Sequence, residues 1–164
     1  ALYGFNVLGR VTALGSIESP ILFTVSDTAG FHILYDSRGG WNGFHFINTP
    51  ASADSSLFSY CNFEFGKAIG DSIEEMGGIF NIRNFDKIRI SDCNFSHNKA
   101  VFWGGAIFAE YSNLKITNSA FTGNFCGTPE PPYGYGGAIC LRYAMAEITG
   151  CRFTENTLCY CLST

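Results

Sequence analysis

The 164-residue chain is short of charge: 10 Lys and Arg with 14 Asp and Glu make up 15% of it, where an ordinary domain carries about a quarter. The two signs are scattered and the net charge is −4, so the basic face a nucleic-acid binder needs is missing. No apolar run approaches the roughly 18 residues of a membrane-spanning helix, which argues against membrane insertion of this segment. The first residues lack the basic start and unbroken apolar stretch of a signal peptide, which fits a chain that is soluble or already processed. Helical spacing of apolar residues is absent over any useful length. In abundance are aromatic residues, 16% of the chain, and 19 glycines. So much of the sequence favours burial that disorder is excluded, and residues 1–164 suffice for a single domain with its own core.

That core is written as repeats. Gly-Gly pairs followed by apolar residues occur as Gly77-Gly78-Ile79-Phe80, Gly104-Gly105-Ala106-Ile107 and Gly136-Gly137-Ala138-Ile139, 27 and 32 residues apart. A Phe-x-x-Asn element follows each, at Phe95 to Asn98, Phe121 to Asn124 and Phe153 to Asn156, with an earlier partial copy at Cys61-Asn62-Phe63. Between the two lies a third alternating segment, Ile88-Arg89-Ile90, Leu114-Lys115-Ile116 and Ala146-Glu147-Ile148.

Three short alternating segments per repeat read as three short strands with one face buried. A unit of this size cannot close a core alone, so copies must stack. The implied fold is all-β, a right-handed parallel β-helix of roughly five coils, with coils rising by one interstrand spacing. Side chains alternate faces along a strand, so Phe80, Ile107 and Ile139 form one inward column, with Ile82, Ala109 and Leu141 beside it. Ile90, Ile116 and Ile148 form another, and Phe63, Phe95, Phe121 and Phe153 a stacked aromatic ladder. Asn98, Asn124 and Asn156 fall at a corner, where short amides satisfy backbone groups of adjacent coils. The N-terminal third reads as strands at 5–13 and 21–25, an early Gly-Gly strand at 39–46 and a second-strand segment at 56–60. Insertions fall around 27–40, 47–55, 67–76 and 125–135. Neither end carries a polar cap, so the solenoid either continues in a longer exported polypeptide or abuts another copy.

The Gly-Gly-Ala-Ile and Phe-x-x-Asn elements, at 104–107, 136–139, 95–98, 121–124 and 153–156, resemble the repeats of polymorphic outer-membrane proteins and related autotransporter-type adhesins. Residues 5–46 resemble β-helix regions of large secreted bacterial surface proteins. The resemblance implies a pectate-lyase-like β-helix on an exported protein and no particular chemistry, since that fold hosts lyases, hydrolases, adhesins and passive stalks.

Candidate chemistry is sparse. A lyase needs clustered carboxylates for Ca²⁺ and a basic residue to take a proton; Asp71, Glu74 and Glu75 are the densest acidic group, on a loop, and the other acids share no column. His32, His45 and His97 have no Ser or Cys at nucleophile spacing and read as surface or turn residues. Cys61, Cys93 and Cys151 take inward positions as small hydrophobes. Cys126, Cys140, Cys159 and Cys161 are candidates for a disulfide suited to an exported protein, Cys126 with Cys159 or with Cys140, the connectivity remaining open. No Cys-x-x-Cys pair supports zinc, and no cofactor is implied. Trp103, Tyr111, Tyr133 and Tyr135 flank the Gly-Gly turns and offer flat faces to a sugar ring or partner protein, or cover the coil's edge. The leading expectation is a non-enzymatic, extracellular or cell-surface β-solenoid of structural or adhesive role, displaying loops or stacking end to end with itself into a fibre. A polysaccharide lyase or glycoside hydrolase is the alternative.

Overall fold

The structure, a computed structural model, describes residues 3–70, 76–128 and 134–159. Every named strand in it is two to five residues long, and each pairs in parallel with its counterpart one coil away. The first sheet stacks Phe5–Asn6, Phe44–Phe46, Phe80–Arg83, Ile107–Glu110 and Ile139–Arg142. The second stacks Thr12–Leu14, Ser56–Ser59, Ile88–Ser91, Asn113–Thr117 and Met145–Thr149, and the third Ile21–Phe23, Cys61–Glu64, Asn94–Ser96, Ala120–Thr122 and Arg152–Thr154. The chain is therefore an all-β parallel β-helix.

A fourth sheet stacks Lys67–Ala68, Lys99–Ala100, Phe125–Cys126 and Thr157–Leu158, one more strand per coil than the three that alternation marks. Two residues carry no period, so Lys67–Ala68 and Phe125–Cys126 read as the starts of insertions. The apolar run at 5–13 likewise divides between two sheets, at Phe5–Asn6 and Thr12–Leu14.

Corners make this winding possible. The chain turns after the first sheet at Asn84, Tyr111 and Tyr143, after the second at Tyr60, Asp92, Asn118 and Gly150, and after the third at Phe65, His97, Gly123 and Glu155, all with φ between 48° and 67°. One left-handed residue bends the strand sharply at a cost of about 1–2 kcal/mol for a non-glycine, which the packing inside offsets. Entry to the first sheet is stricter. Gly104 has φ 66°, and a Cβ there would run into the Ile107 carbonyl, so only glycine fits.

The interior is one ladder system. Phe23, Phe63, Phe95, Phe121 and Phe153 stack with ring centroids 5.1, 4.8, 4.6 and 4.8 Å apart, the coil rise itself. Phe80 meets Phe63 edge-on at 5.3 Å. Ile90, Ile116 and Ile148 share a register column with Phe58, and Ile82, Ala109 and Leu141 another.

The asparagine corner is hydrogen-bonded along the axis. Asn124 Nδ2 donates to the Phe95 carbonyl (3.0 Å) and to Asn156 Oδ1 (2.8 Å), while its Oδ1 accepts from Asn98 N (3.1 Å) and Asn98 Nδ2 (2.9 Å). Asn98 repeats the pattern on the Phe63 carbonyl and Gly66 N. At the neighbouring corner Cys61, Cys93, Ser119 and Cys151 each donate to the carbonyl two residues back. Ser119 Oγ also accepts from Cys93 N, and Cys151 Sγ from Ser119 N. The thiols are thus hydrogen-bonding corner pieces as well as filler, which is why a serine stands in the series.

Candidate functional site

Residues of the two repeat elements turn their chemistry inward. Gly104, Gly105, Ala106, Ile107, Phe95 and Asn98 are all buried, so a ligand cannot reach them; what a partner meets is set by outward positions and corners.

The outward face of the first sheet is the most developed of these. Arg83, Glu110 and Arg142 lie in register on consecutive coils. Glu110 bridges both guanidinium groups, 3.2 Å to Arg83 Nη1 and 3.2 Å to Arg142 Nη1. On one side runs the row Asn81, Phe108 and Cys140, and beyond it Met76, Trp103 and Tyr135, linked by parallel bridges. On the other side the corner residues Tyr111 and Tyr143 stack with centroids 5.0 Å apart and rings 8° from parallel. Arg83 sits 5.3 Å from the Phe108 ring and donates to Met76 Sδ at 2.9 Å. Arg142 sits 4.7 Å from Trp103 and 5.5 Å from Tyr143. These are cation–π distances. Tyr111, Tyr135 and Tyr143 are 55%, 57% and 70% exposed.

Of the aromatic residues read as a ligand surface, the structure brings Trp103 and Tyr135 together, 6.3 Å apart, and places Tyr111 across the charged row. Tyr133 lies outside the described residues. Arg83, Glu110, Arg142 and Tyr143 were not read as site residues; the 27- and 32-residue offsets that align the core align them too, had the outward positions been compared. Phe108 and Asn81 also point outward yet are buried: Trp103 packs on Phe108 with centroids 5.2 Å apart, and Arg83 reaches over the Phe108 ring and toward Asn81 Oδ1.

The cysteines read as disulfide candidates behave differently. Cys126 remains a thiol, fully buried in a corner cluster with Ala68 and Ala100, and Cys140 remains a thiol beside Phe108 in the outward row. Burial pushes the Cys126 thiol up to about 12 and raises that of Cys140, so neither ionises readily. At Cys126 the side chain fills the corner between coils, level with Leu158, and Cys159 meets it through backbone, Cys159 N donating to the Cys126 carbonyl. Cys161 lies outside the described residues. Cys61 and Cys93 are fully buried, while Cys151, on the last coil, is only half-buried.

Among the described residues no group of three or more His, Cys, Asp or Glu is placed to hold a metal ion. The acidic loop Asp71, Glu74 and Glu75 lies outside them. His32 and His97 are exposed, and His97 occupies a corner stacked on Phe65. His45 is buried instead, its Nε2 2.6 Å from the Asn42 carbonyl oxygen; outward on a sheet that other segments cover, it does not reach the surface as expected.

One insertion is held firmly. Lys67 is fully buried and donates to the carbonyls of Gly30, Ile33 and Arg38 at 2.9, 3.0 and 3.2 Å, and Lys99 donates to that of His32 at 3.2 Å. Desolvation pulls the Lys67 ammonium down to about 8. Within the loop the Arg38 guanidinium, bonded to both Asp36 oxygens, holds that carboxyl at about 2. The loop is therefore a fixed surface feature.

Compared with known proteins, residues 92–110 match the Chlamydia polymorphic membrane protein repeat. The matched stretch runs from the Phe-x-x-Asn corner into the first-sheet strand Ile107–Glu110, and the β-helix built on it resembles such repeats. In general terms this supports a bacterial surface protein. Neither the curated proteins nor the solved structures gave a match.

Proposed function

We propose that the chain is a non-enzymatic adhesive segment displayed at a bacterial surface, in which the repeats build a rigid solenoid and the outward face of the first sheet makes the contacts. One observation carries this reading: the repeat elements are spent on the interior, while the same coils hold three exposed tyrosines around the Arg83–Glu110–Arg142 row. Exposed aromatic clusters of this kind mark interaction sites rather than ordinary surface. Beads coated with the purified chain are expected to adhere to cultured animal cells well above albumin-coated beads. Beads carrying the Tyr111→Ala, Tyr135→Ala, Tyr143→Ala triple variant lose most of that adhesion at an unchanged melting temperature. Adhesion no better than albumin overturns the reading. Release of unsaturated sugars from a polyuronate panel, with or without Ca²⁺, overturns its non-enzymatic half.

A second reading, end-to-end association, is favoured by the last coil. Leu141, Ile148 and Phe153 are 39%, 40% and 47% exposed, where Ala109, Ile116 and Phe121, one coil earlier in the same columns, are fully buried. A further winding, from this chain's continuation or from a second copy, would cover them. Sedimentation that shows a monomer at every concentration excludes the second copy.

A further inference from the structure

The platform on the first sheet contains a cation whose orientation is fixed by its neighbours. Arg142 lies against Trp103 and Tyr143 and places Nη1 on Glu110, yet its side chain is 46% exposed. A guanidinium carries five N–H donors in a rigid planar fork, and the bond to Glu110 engages one terminal nitrogen. Glu110 is shared with Arg83, so among the described residues one carboxylate faces two guanidinium groups and the row carries a local excess of one positive charge on a chain of net charge −4. The parallel, exposed Tyr111 and Tyr143 rings adjoin this excess charge. A cationic fork beside flat apolar rings is complementary to a sugar that bears a carboxylate: the carboxylate accepts from the fork, and the C–H face of the ring packs on an aromatic.

We propose that this face binds a glycan carrying an acidic sugar, with Arg142 taking the carboxylate and Tyr143, backed by Tyr111, taking the ring. The proposal rests on the adhesive reading above and gives it a ligand class. A free carboxylate engages the cation alone, and a neutral sugar the rings alone, so full affinity requires both on one molecule.

The test titrates the 164-residue chain by calorimetry or NMR with 3′-sialyllactose, digalacturonic acid, lactose, acetate and an aspartate-rich hexapeptide. Saturable binding of either acidic sugar, at least tenfold tighter than lactose and acetate, is expected. Arg142→Gln should weaken it at least tenfold and Tyr143→Ala severalfold, with circular dichroism and melting temperature unchanged because both side chains are exposed. Lactose or acetate matching the acidic sugars, no loss in Arg142→Gln, or tighter binding of the hexapeptide each overturns the proposal. If neither acidic sugar binds while chain-coated beads still adhere, the ligand assignment falls and the adhesive reading survives; if the beads fail as well, both fall.

Discussion

Removing Asn124 tests whether the corner ladder is a structural element or an incidental alignment. Its amide is fully buried and makes four hydrogen bonds with Asn98, Phe95 and Asn156. In Asn124→Ala the Asn98 backbone N–H, one Asn98 amide hydrogen and the Phe95 carbonyl lose partners in places water does not reach. Each orphaned group costs about 1–3 kcal/mol, so the variant should lose about 4 kcal/mol, a large part of the 5–15 kcal/mol typical of a folded domain. Asn156→Ala removes the equivalent amide at a half-buried rung, where water replaces it, and should lose about half as much. Asn124→Asp sharpens the test, since it keeps the shape but aims a carboxylate oxygen at two acceptors, the Phe95 carbonyl and Asn156 Oδ1. The buried acid is then best protonated, so its folded pKa lies above the unfolded value of about 3.9. That variant should approach the parent below pH 4 and lose stability as pH rises through the folded pKa. Urea unfolding followed by circular dichroism from pH 3 to 8 measures all three. A cost below about 1 kcal/mol for Asn124→Ala, or an Asn124→Asp variant indifferent to pH, would refute the ladder.

Phe95→Ala should cost about 4 kcal/mol, because the ring is fully buried between Phe63 and Phe121, whereas Phe153→Ala, whose ring has a partner only on the Phe121 side among the described residues, should cost about half that in the same urea assay. Cys93→Ser should cost no more than about 1 kcal/mol, since Ser119 already fills the next rung and makes the same bond to the carbonyl two residues back; Cys93→Val, which has no donor, should cost clearly more. Asp36 has its folded pKa lowered to about 2 from 3.8, so its hold on the loop is complete above about pH 4 and is lost as pH falls toward 2; amide protection over residues 27–38, taken relative to the intrinsic exchange rate at each pH, should fall within that window and hold steady above it.

The register was legible in the sequence because like residues recur at a fixed offset and a stacked coil converts offset into contact. Phe95, Phe121 and Phe153, or Ile90, Ile116 and Ile148, needed no further information. The fourth sheet was not legible: Lys67–Ala68 and its counterparts are two residues long, too short for a period of two to show. Nor were most corners, since Tyr60, Tyr111 and Tyr143 adopt the left-handed conformation that propensity assigns to glycine and asparagine; packing between coils overrides that preference. The burial of Lys67 was hidden for another reason. Its three acceptors belong to a loop 29 to 37 residues earlier, and no spacing rule links a strand lysine to the carbonyls of an irregular segment. The Arg83–Glu110–Arg142 row recurs at the same offsets as the core, but its residues change from coil to coil, so no repetition of like residues marks it.

A parallel solenoid places every residue in a column with its equivalents one coil up and down, so an inward substitution is felt by two neighbours at once and an outward one by few. Ala109 between Ile82 and Leu141, or Ser119 between Cys93 and Cys151, marks how narrow the inward choice is: volume or hydrogen-bonding capacity must match on both sides. Outward rows face no such demand. Arg, Glu and Arg occupy equivalent rungs of one row, and Asn84, Tyr111 and Tyr143 equivalent corners of another. The repeat elements thus hold the solenoid together without dictating what it recognises, and specificity is set by whichever outward residues fall next to one another on successive coils. In this chain that juxtaposition puts a half-exposed guanidinium between Trp103 and Tyr143, and it arises only because the two rings come from different coils.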